Sequence, residues 1–299
     1  MAVNSSNFSK LLWPGLNKVY GMGYAEHPLE YTDIFETRQS RKAFEEIIGS
    51  SMTGMAAVIG EGAPVTYDNM TQGFVSRFQH VDYGLGLVIT QNMIDDDQYD
   101  TIGPMRAKAL AKSMRTTKET NAANILNRAF SNSYTGGDGV ELCSDVHPNV
   151  YGGTFQNELT TAADLSEASL EQACIDIGKW TDDRGNKIAA MAQDLIIPVD
   201  LMFEADRIVN SSGRVATADN DKNAIMGKFN IKVNHYLTDT DAFFLKTNVS
   251  DGLIHFERRA DAFAADNDFD SSNAKFKATG RWSFGWADPK GIYGSPGAA

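Results

Sequence analysis

The five histidines are the residues of this chain best suited to bind a metal, but their spacing does not predict a metal site. None of them stands at a metal-ligand distance in sequence from another histidine or from a cysteine: His27, His80, His147, His235 and His255. We therefore interpret all five as structural histidines. The two cysteines, Cys143 and Cys174, lack the C-x-x-C spacing of redox and zinc motifs, so we expect reduced, buried thiols of a cytosolic product.

Two acidic clusters could bind cations, and each has a simpler structural interpretation. The D-x-D-x-D opening of a calcium loop occurs at Asp266, Asp268 and Asp270. Its sixth and twelfth positions are Ser271 and Lys277 instead of Gly and Glu, which favours a solvated acidic turn over a weak cation site. Asp95–Asp97 precede a predicted helix, where negative charge favours the N-terminus, and adjacent helical side chains point in different directions.

Motifs of known catalytic sites are missing from the sequence. Gly60 and Gly62 complete neither a dinucleotide-binding motif nor a phosphate-binding loop, and no G-x-S-x-G or H-E-x-x-H occurs. A Ser-His-Asp triad is assembled in space, so a hydrolase with a triad not visible in sequence stays open as an alternative. We predict that the protein is not an enzyme, with no catalytic, cofactor-binding or metal-binding residues and no cofactor.

Composition indicates a large soluble chain with an acidic surface. The 299 residues are 42% hydrophobic, which is enough for one large or two modest domains with a real core. The net charge of -12 argues against strong non-specific DNA binding, which depends on Lys and Arg. The first 15 residues lack the pattern of a signal peptide, and no apolar run approaches the ~18 residues of a membrane span, so we expect no membrane association.

The first 90 residues predict an arm, a loop and two strands. Aromatic residues are spread through the first 40 positions, more than a disordered tail usually carries, among them Trp13, Tyr20, Tyr24, Tyr31 and Phe35. They indicate an arm that either packs on its own domain or lies across a neighbouring subunit. Residues 47–65 are rich in glycine and small residues, which predicts a mobile loop or loosely held hairpin. Alternation over residues 74–90, with a reversal near Asp82 and Gly84, predicts two strands.

Residues 98–130 predict one long helix, with Pro104 in its first turn or at a kink. Apolar residues at helical spacing predict its buried face: Ile102, Met105, Ala109, Ala122, Ile125 and Ala129. The centre of this segment is polar on most faces, so such a helix has little to bury in a compact monomer. We expect a spine with neighbouring elements along it.

The remaining residues alternate between loops, helices and strands. Residues 131–165 predict a loop with a hairpin, and Ser166 is a good N-cap for a helix that runs to about Asp182. A buried strand at 194–199 precedes a second helix, for which Asp200 is the expected cap. Residues 211–223 should be exposed. Further strands are predicted at 229–237, 242–247, 253–259, 275–278 and 281–286.

The terminal strands combine aromatic and basic residues, which predicts that the C-terminal end is paired into a sheet. The basic residues stand beside acidic ones: Arg258, Arg259, Lys275, Lys277 and Arg281. They should either form ion pairs across strands or fix contacts between subunits.

Several separate segments, in the same order, closely resemble the Mu-like major head subunit family of tailed-phage major capsid proteins. The strings are ADLSEASLEQACIDIGKWTDDRGNKIA from Ala163, VNHYLTDTDAFFLKT at 233–247, GLIHFERR at 252–259 and FDSSNAKFKATGRWSFGWADPKGIYGS at 269–295. The resemblance covers about residues 10–295 and implies the α+β Hong Kong 97 type capsid fold.

That resemblance also implies a division of the chain. Residues 1–45 would form the N-terminal arm, and 46–90 the extended E-loop hairpin. Residues 91–165 and 255–299 would form the peripheral domain with its spine helix. Residues 166–254 would form the axial domain, whose loop near 211–223 should face the capsomer centre.

The implied function is self-assembly into hexamers and pentamers of an icosahedral shell around double-stranded DNA, without sequence-specific DNA binding. The protein would belong to the virion and assemble in the host bacterial cytoplasm. Its expected partners are further copies of itself, a portal, optional decoration or cement proteins, and a separate scaffolding protein, since the chain opens directly with the arm. An encapsulin-type compartment shell and the hydrolase are the alternatives.

Some proteins with this fold crosslink their shells through a lysine of the E-loop. The present chain has no lysine between Lys42 and Lys108, so its E-loop cannot supply one. We predict that mature particles run as single chains on denaturing gels. Covalent ladders on such gels would contradict this prediction.

Overall fold

Two four-stranded sheets organise the chain, and each draws its strands from distant parts of the sequence. The computed structural model describes residues 9–26, 28–90, 92, 99–213, 222–267 and 273–298. The helices are α1 Ser9–Tyr24, α2 Tyr31–Ile34, α3 Tyr99–Asn127, α4 Glu167–Lys179 and α5 Met202–Asn210. The strands are β1 Glu36–Gln39, β2 Phe44–Ser50, β3 Gln72–Gln79, β4 Val81–Ile89, β5 His147–Pro148, β6 Thr154–Phe155, β7 Ala192–Pro198, β8 Asn230–Asn234, β9 Phe243–Thr247, β10 Leu253–Asn267, β11 Ala274–Trp286 and β12 Ile292–Ser295.

The first sheet has the order β1-β10-β11-β4 and confirms that the terminal strands are paired. β11 is one continuous strand instead of the two predicted, because Thr279 and Gly280 stay in register with Gly84 and Tyr83 of β4. On this sheet the guanidinium groups of Arg259 and Arg281 both reach the Asp82 carboxylate, at 3.0 and 3.5 Å. Ion pairing within the chain therefore accounts for these two arginines.

The two strands predicted in residues 74–90 are present, but they do not pair with each other. β3 pairs with β2, whereas β4 pairs with β11, so the chain passes from one sheet to another between Gln79 and Val81. Residues 47–50 belong to β2, so this end of the predicted loop or hairpin is part of the antiparallel β2–β3 pair. The reversal expected near Asp82 is thus a passage between sheets: β3 pairs with the preceding strand β2, and only β4 has a partner far away in sequence.

The second sheet, β12-β9-β7-β8, carries α4 and α5 on one face. Leu195 and Ile197 of β7 pack against these helices, and the intervening Ile196 packs on the opposite side, as strand alternation requires. Ser166 forms the predicted cap, with a capping box to Ser169. The Asp200 cap is wrong, because that residue lies in a 3-10 turn (Val199–Leu201) that precedes α5. Residues 214–221 of the predicted exposed segment lie outside the described residues.

The long helix is present as α3, but half of its predicted face is wrong. Met105 and Ala109 are exposed, and the helix instead buries Ala107, Leu110, Ala111 and Met114. Farther along, Ala122 and Ala129 are buried as predicted, and Ile125 is half-buried. Pro104 lies in the second turn, not the first. The Ile102 side chain and Asp95–Asp97 lie outside the described residues.

Three charged residues in the centre of α3 are buried, contrary to the expectation that this part had little to bury: Arg115, Lys118 and Glu119. Only 2% of the Lys118 side chain is exposed, and its ammonium donates to Glu257 Oε1 at 3.1 Å. The same ammonium lies 5.0 Å from the ring centroid of Trp282 and 5.3 Å from that of Tyr31. Burial alone would lower the pKa of Lys118, but the opposing effects of Tyr31, Asp261 and Glu257 raise it above its usual value.

One turn of α3 also fixes the segment that follows α1. The buried Glu119 carboxylate accepts the backbone N–H groups of Glu30 and Tyr31, each at 3.0 Å. Burial raises the pKa of Glu119, although these two N–H groups oppose the change. Arg115, which is also buried, donates to the Pro28 carbonyl. The polar face of α3 is therefore paired with backbone groups of its own chain.

The aromatic residues of the N-terminal segment pack on the same chain. Tyr20 of α1 is buried and stacks on Phe263 of β10, with ring centroids 5.1 Å apart. Tyr24 donates a hydrogen bond to Asp261 Oδ2 at 2.7 Å. Burial raises the pKa of Asp261, whereas Lys118 and the Tyr24 hydroxyl oppose that rise. In this single chain, the described part of the arm is packed on its own domain.

Lys118→Met should destabilise the fold by about 3 to 5 kcal/mol, because it leaves the Glu257 carboxylate without its buried cation. Lys112→Met is the matched control on an exposed position of α3, where we expect a change of about 0.5 kcal/mol or less. Chemical denaturation of both variants measures the difference. Equal stabilities of the two variants would show that Lys118 does not hold α3 to the sheet.

Candidate subunit-assembly surface

The largest concentration of exposed apolar side chains lies between β2 and β3. Residues 51–71, named here the E-loop tip, contain no helix or strand. Among their exposed side chains are Met52, Met55, Val58, Ile59, Val65, Tyr67 and Met70. Glu61 and Asp68 are the only charged residues in this stretch. A soluble protein rarely exposes so much apolar surface in one place unless another protein covers it.

Hydrogen bonds between its two limbs hold the base of the E-loop tip. The Ser51 N–H donates to the Thr71 carbonyl at 2.9 Å, and the Thr71 N–H donates to Ser51 Oγ at 2.8 Å. The Gly54 N–H donates to Asp68 Oδ2 at 2.7 Å, and this bond is the main reason that the pKa of Asp68 is lowered. The loop is thus closed at its base and free beyond it.

Arg184, from a turn after α4, anchors the base from outside the hairpin. Its guanidinium donates to Asp68 Oδ1 at 3.2 Å, to the Asn69 carbonyl at 3.0 Å and to the Tyr151 hydroxyl at 2.9 Å. It also lies 3.8 Å from the centroid of the Tyr151 ring. The Tyr151 hydroxyl is within 3.1 Å of Thr71 Oγ1. No sequence motif indicated this anchor, since Arg184 lies 116 residues from Asp68, 115 from Asn69 and 33 from Tyr151.

The hairpin itself is fixed where β3 ends. The buried His80 ring lies between two serines, with Nδ1 2.9 Å from Ser283 Oγ and Nε2 3.0 Å from Ser40 Oγ. Burial, together with the nearby Arg281, lowers the pKa of His80. A neutral imidazole can donate with one nitrogen and accept with the other, so it joins β3 to the terminal sheet and to the end of β1.

The other candidate residues lie in separate structural contacts. His147 Nδ1 is 2.7 Å from Asp138, His235 Nδ1 is 2.7 Å from Glu30, and the buried His255 stacks on Phe284 at 4.5 Å. Burial lowers the pKa of His255 to about 3. Cys143 is buried as expected, whereas Cys174 is only half-buried, and both are free thiols. His27, Asp268, Asp270 and Ser271 lie outside the described residues.

The described residues show neither a metal-binding cluster nor a membrane-spanning helix. Within the described ranges, no group of three or more His, Cys, Asp or Glu side chains could hold a metal ion. Within the same ranges, no helix combines the length and the apolarity that a membrane crossing requires.

Arg184→Ala should release the base of the E-loop tip while leaving the fold intact, because its partners are at the surface. We expect limited proteolysis within residues 51–71 several times faster than in the parent chain, with an unchanged melting temperature. Lys187→Ala is the matched control in the same turn, since the one partner of the Lys187 ammonium within the described residues is the Lys179 carbonyl. Equal cleavage rates in the two variants would exclude Arg184 as the anchor.

Comparisons with known proteins identify the family. A family model described as phage capsid protein matches residues 75–295. Among curated proteins, none matches this chain. The capsid structure of cyanophage P-SCSP1u aligns with a TM-score of 0.61 and 10% identity, over 91% of this chain and 88% of that one.

Two further shells share the fold. The procapsid of bacteriophage JBD30 aligns with a TM-score of 0.56 and 14% identity, over 98% of this chain and 76% of that one. The capsid of a native GTA particle aligns with a TM-score of 0.54 and 13% identity, over 91% of this chain and 90% of that one. The predicted capsid fold is thereby confirmed, and because the family model covers most of its length, the chain belongs to the phage capsid protein family.

Proposed function

We propose that copies of this chain form the shell of a tailed-phage head, as hexamers and pentamers that close an icosahedron around double-stranded DNA. The observation that carries this proposal is the E-loop tip, whose apolar side chains are left uncovered by their own chain. A neighbouring subunit would cover them, and the family match supports a neighbour of the same kind. The chain is a structural protein.

We propose the four parts expected from the resemblance, with three adjustments drawn from strand pairing. β1 joins the peripheral sheet although it falls within 1–45, and β4 joins that sheet although it falls within 46–90. β12 joins the axial sheet through β9 although it falls within 255–299. These pairings support a peripheral part built on β1, β10, β11, β4 and α3, and an axial part built on β7, β8, β9 and β12.

The acidic composition supports a container for DNA that does not bind a particular DNA sequence. A net charge of -12 gives little electrostatic attraction to phosphates, so packaged DNA could move along such a wall. We further propose residence in the virion, assembly in the host bacterial cytoplasm, and association with scaffolding, portal and decoration proteins. These partners follow from the family and are not visible in a single chain.

The family match disfavours the two alternatives. An encapsulin-type shell would contain a cargo enzyme in place of phage DNA, so the contents of purified particles distinguish the two containers. A hydrolase would be a stable monomer with a deep polar cleft. Among the described residues, the best-defined pocket is small and mostly apolar, lined by residues such as Leu126, Phe130 and Phe244.

Val58→Asp combined with Ile59→Asp should abolish shell formation while leaving the subunit folded. Both side chains are exposed in the single chain, so the fold should lose about 0.5 kcal/mol or less. In an interface the new carboxylates would be buried without partners, which is strongly unfavourable. The measurement is negative-stain electron microscopy of protein expressed alone and with a neighbouring scaffold gene.

Val58→Leu combined with Ile59→Leu is the control, because it keeps the loop apolar and should still give closed shells or capsomer rings. Normal shells from the double aspartate variant would exclude the E-loop tip as an assembly contact. A strictly monomeric parent chain under both expression conditions would contradict the proposed function itself.

A further inference from the structure

The E-loop tip contains three methionines, and all are unusually accessible. The exposed fractions of Met52, Met55 and Met70 are 57%, 83% and 58%. Met114, on the buried face of α3, is 3% exposed. The accessible thioethers of the tip therefore lie on the same surface that the proposed assembly would bury.

The hydrogen bonds at the loop base place these methionines on two neighbouring limbs. Ser51 and Thr71 are bonded to each other, and Met52 and Met70 are the next residues on either limb. Met55 follows Gly54, whose N–H is bonded to Asp68 on the opposite limb. The three thioethers thus belong to one short stretch of the loop and not to scattered positions.

Methionine is the side chain of this stretch that peroxides oxidise most readily, because residues 51–71 contain no cysteine, histidine, lysine or tryptophan. The thioether sulfur attacks one peroxide oxygen, a sulfur–oxygen bond forms, and the oxygen–oxygen bond breaks. With hydrogen peroxide, the sulfur loses two electrons to the peroxide, and the proton of the transferred oxygen passes to the departing hydroxide, which leaves as water. A flexible apolar side chain thereby becomes a polar sulfoxide.

We propose that Met52, Met55 and Met70 form an oxidation-sensitive site through which peroxides block assembly of free subunits. The inference rests on the proposed function, since it requires that a neighbouring copy buries the E-loop tip. A sulfoxide carried into that contact needs hydrogen-bond partners that an apolar surface does not provide. In assembled shells the same thioethers are covered, so shells resist the oxidant to which free subunits respond.

The test uses full-length subunits treated with hydrogen peroxide, quenched with free methionine and then transferred to assembly conditions. Mass spectrometry measures oxidation at each methionine, and sedimentation measures the assembled fraction. Losing one buried apolar contact per subunit should raise the protein concentration required for assembly roughly tenfold or more. Peptides from preassembled shells should show much less oxidation at Met52, Met55 and Met70 than peptides from free subunits.

Two sets of substitutions distinguish the effect of oxidising the loop methionines from the effect of oxidising other exposed methionines. Met52→Leu, Met55→Leu and Met70→Leu together keep volume and apolarity, so this variant should assemble equally well before and after peroxide. The control replaces Met22, Met191 and Met226 by leucine; these are exposed to 65%, 64% and 55% outside the loop. Because it retains the loop methionines, the control should lose assembly after peroxide as the parent chain does.

Enzymatic reduction of both sulfoxide epimers in oxidised parent protein should restore assembly, and this readout does not depend on the substitutions. Unchanged assembly of the parent chain with its loop methionines oxidised would overturn the inference and leave the proposed function standing. Equal peroxide sensitivity of the loop variant would also overturn it. Failure of untreated parent chain to assemble at all would instead contradict the proposed function.

Discussion

The buried ammonium of Lys118 is the constraint on which the packing of α3 against the first sheet depends. Its charge is matched by Glu257 and the nearby Asp261, and this pairing exists only while α3 lies against β10 and β11. The rings of Tyr31 and Trp282 enclose it and bring the N-terminal segment into the same arrangement. Because an unpaired buried charge is costly, helix, sheet and arm are fixed together.

Glu119, the next residue of α3, accepts hydrogen bonds from backbone groups of the segment that follows α1. Its carboxylate binds the backbone at the start of α2. In the same segment Glu30 contacts His235, and Asp33 contacts Lys232 of β8 at 3.0 Å. The short segment around α2 therefore contacts both α3 and the second sheet. The E-loop tip has no such support, because it is held only at its base and exposes its apolar side chains beyond. This contrast between a fixed body and an uncovered loop is what a shell subunit requires.

Local signals predicted those elements whose stability is local. Ser166 correctly predicted the start of α4, because an N-cap side chain bonds to a backbone N–H only three residues further along the chain. The buried face of α3 was predicted correctly near Ala122 but not near Met105. The N-terminal half of α3 carries two apolar stripes. The stripe that contains Leu110 and Met114 is the buried one, because it faces α1 and the terminal sheet.

The sequence by itself determined the class of elements, the family resemblance and the absence of lysine from the E-loop, since these depend on residue order alone. Only the tertiary structure decided that β3 and β4 pair with different strands, that Lys118 is buried and that Arg184 holds the loop base. Each of these results joins residues that are distant in sequence. Strand pairing and the burial of charge depend on the partner that the fold brings into contact, and periodicity carries no information about that partner.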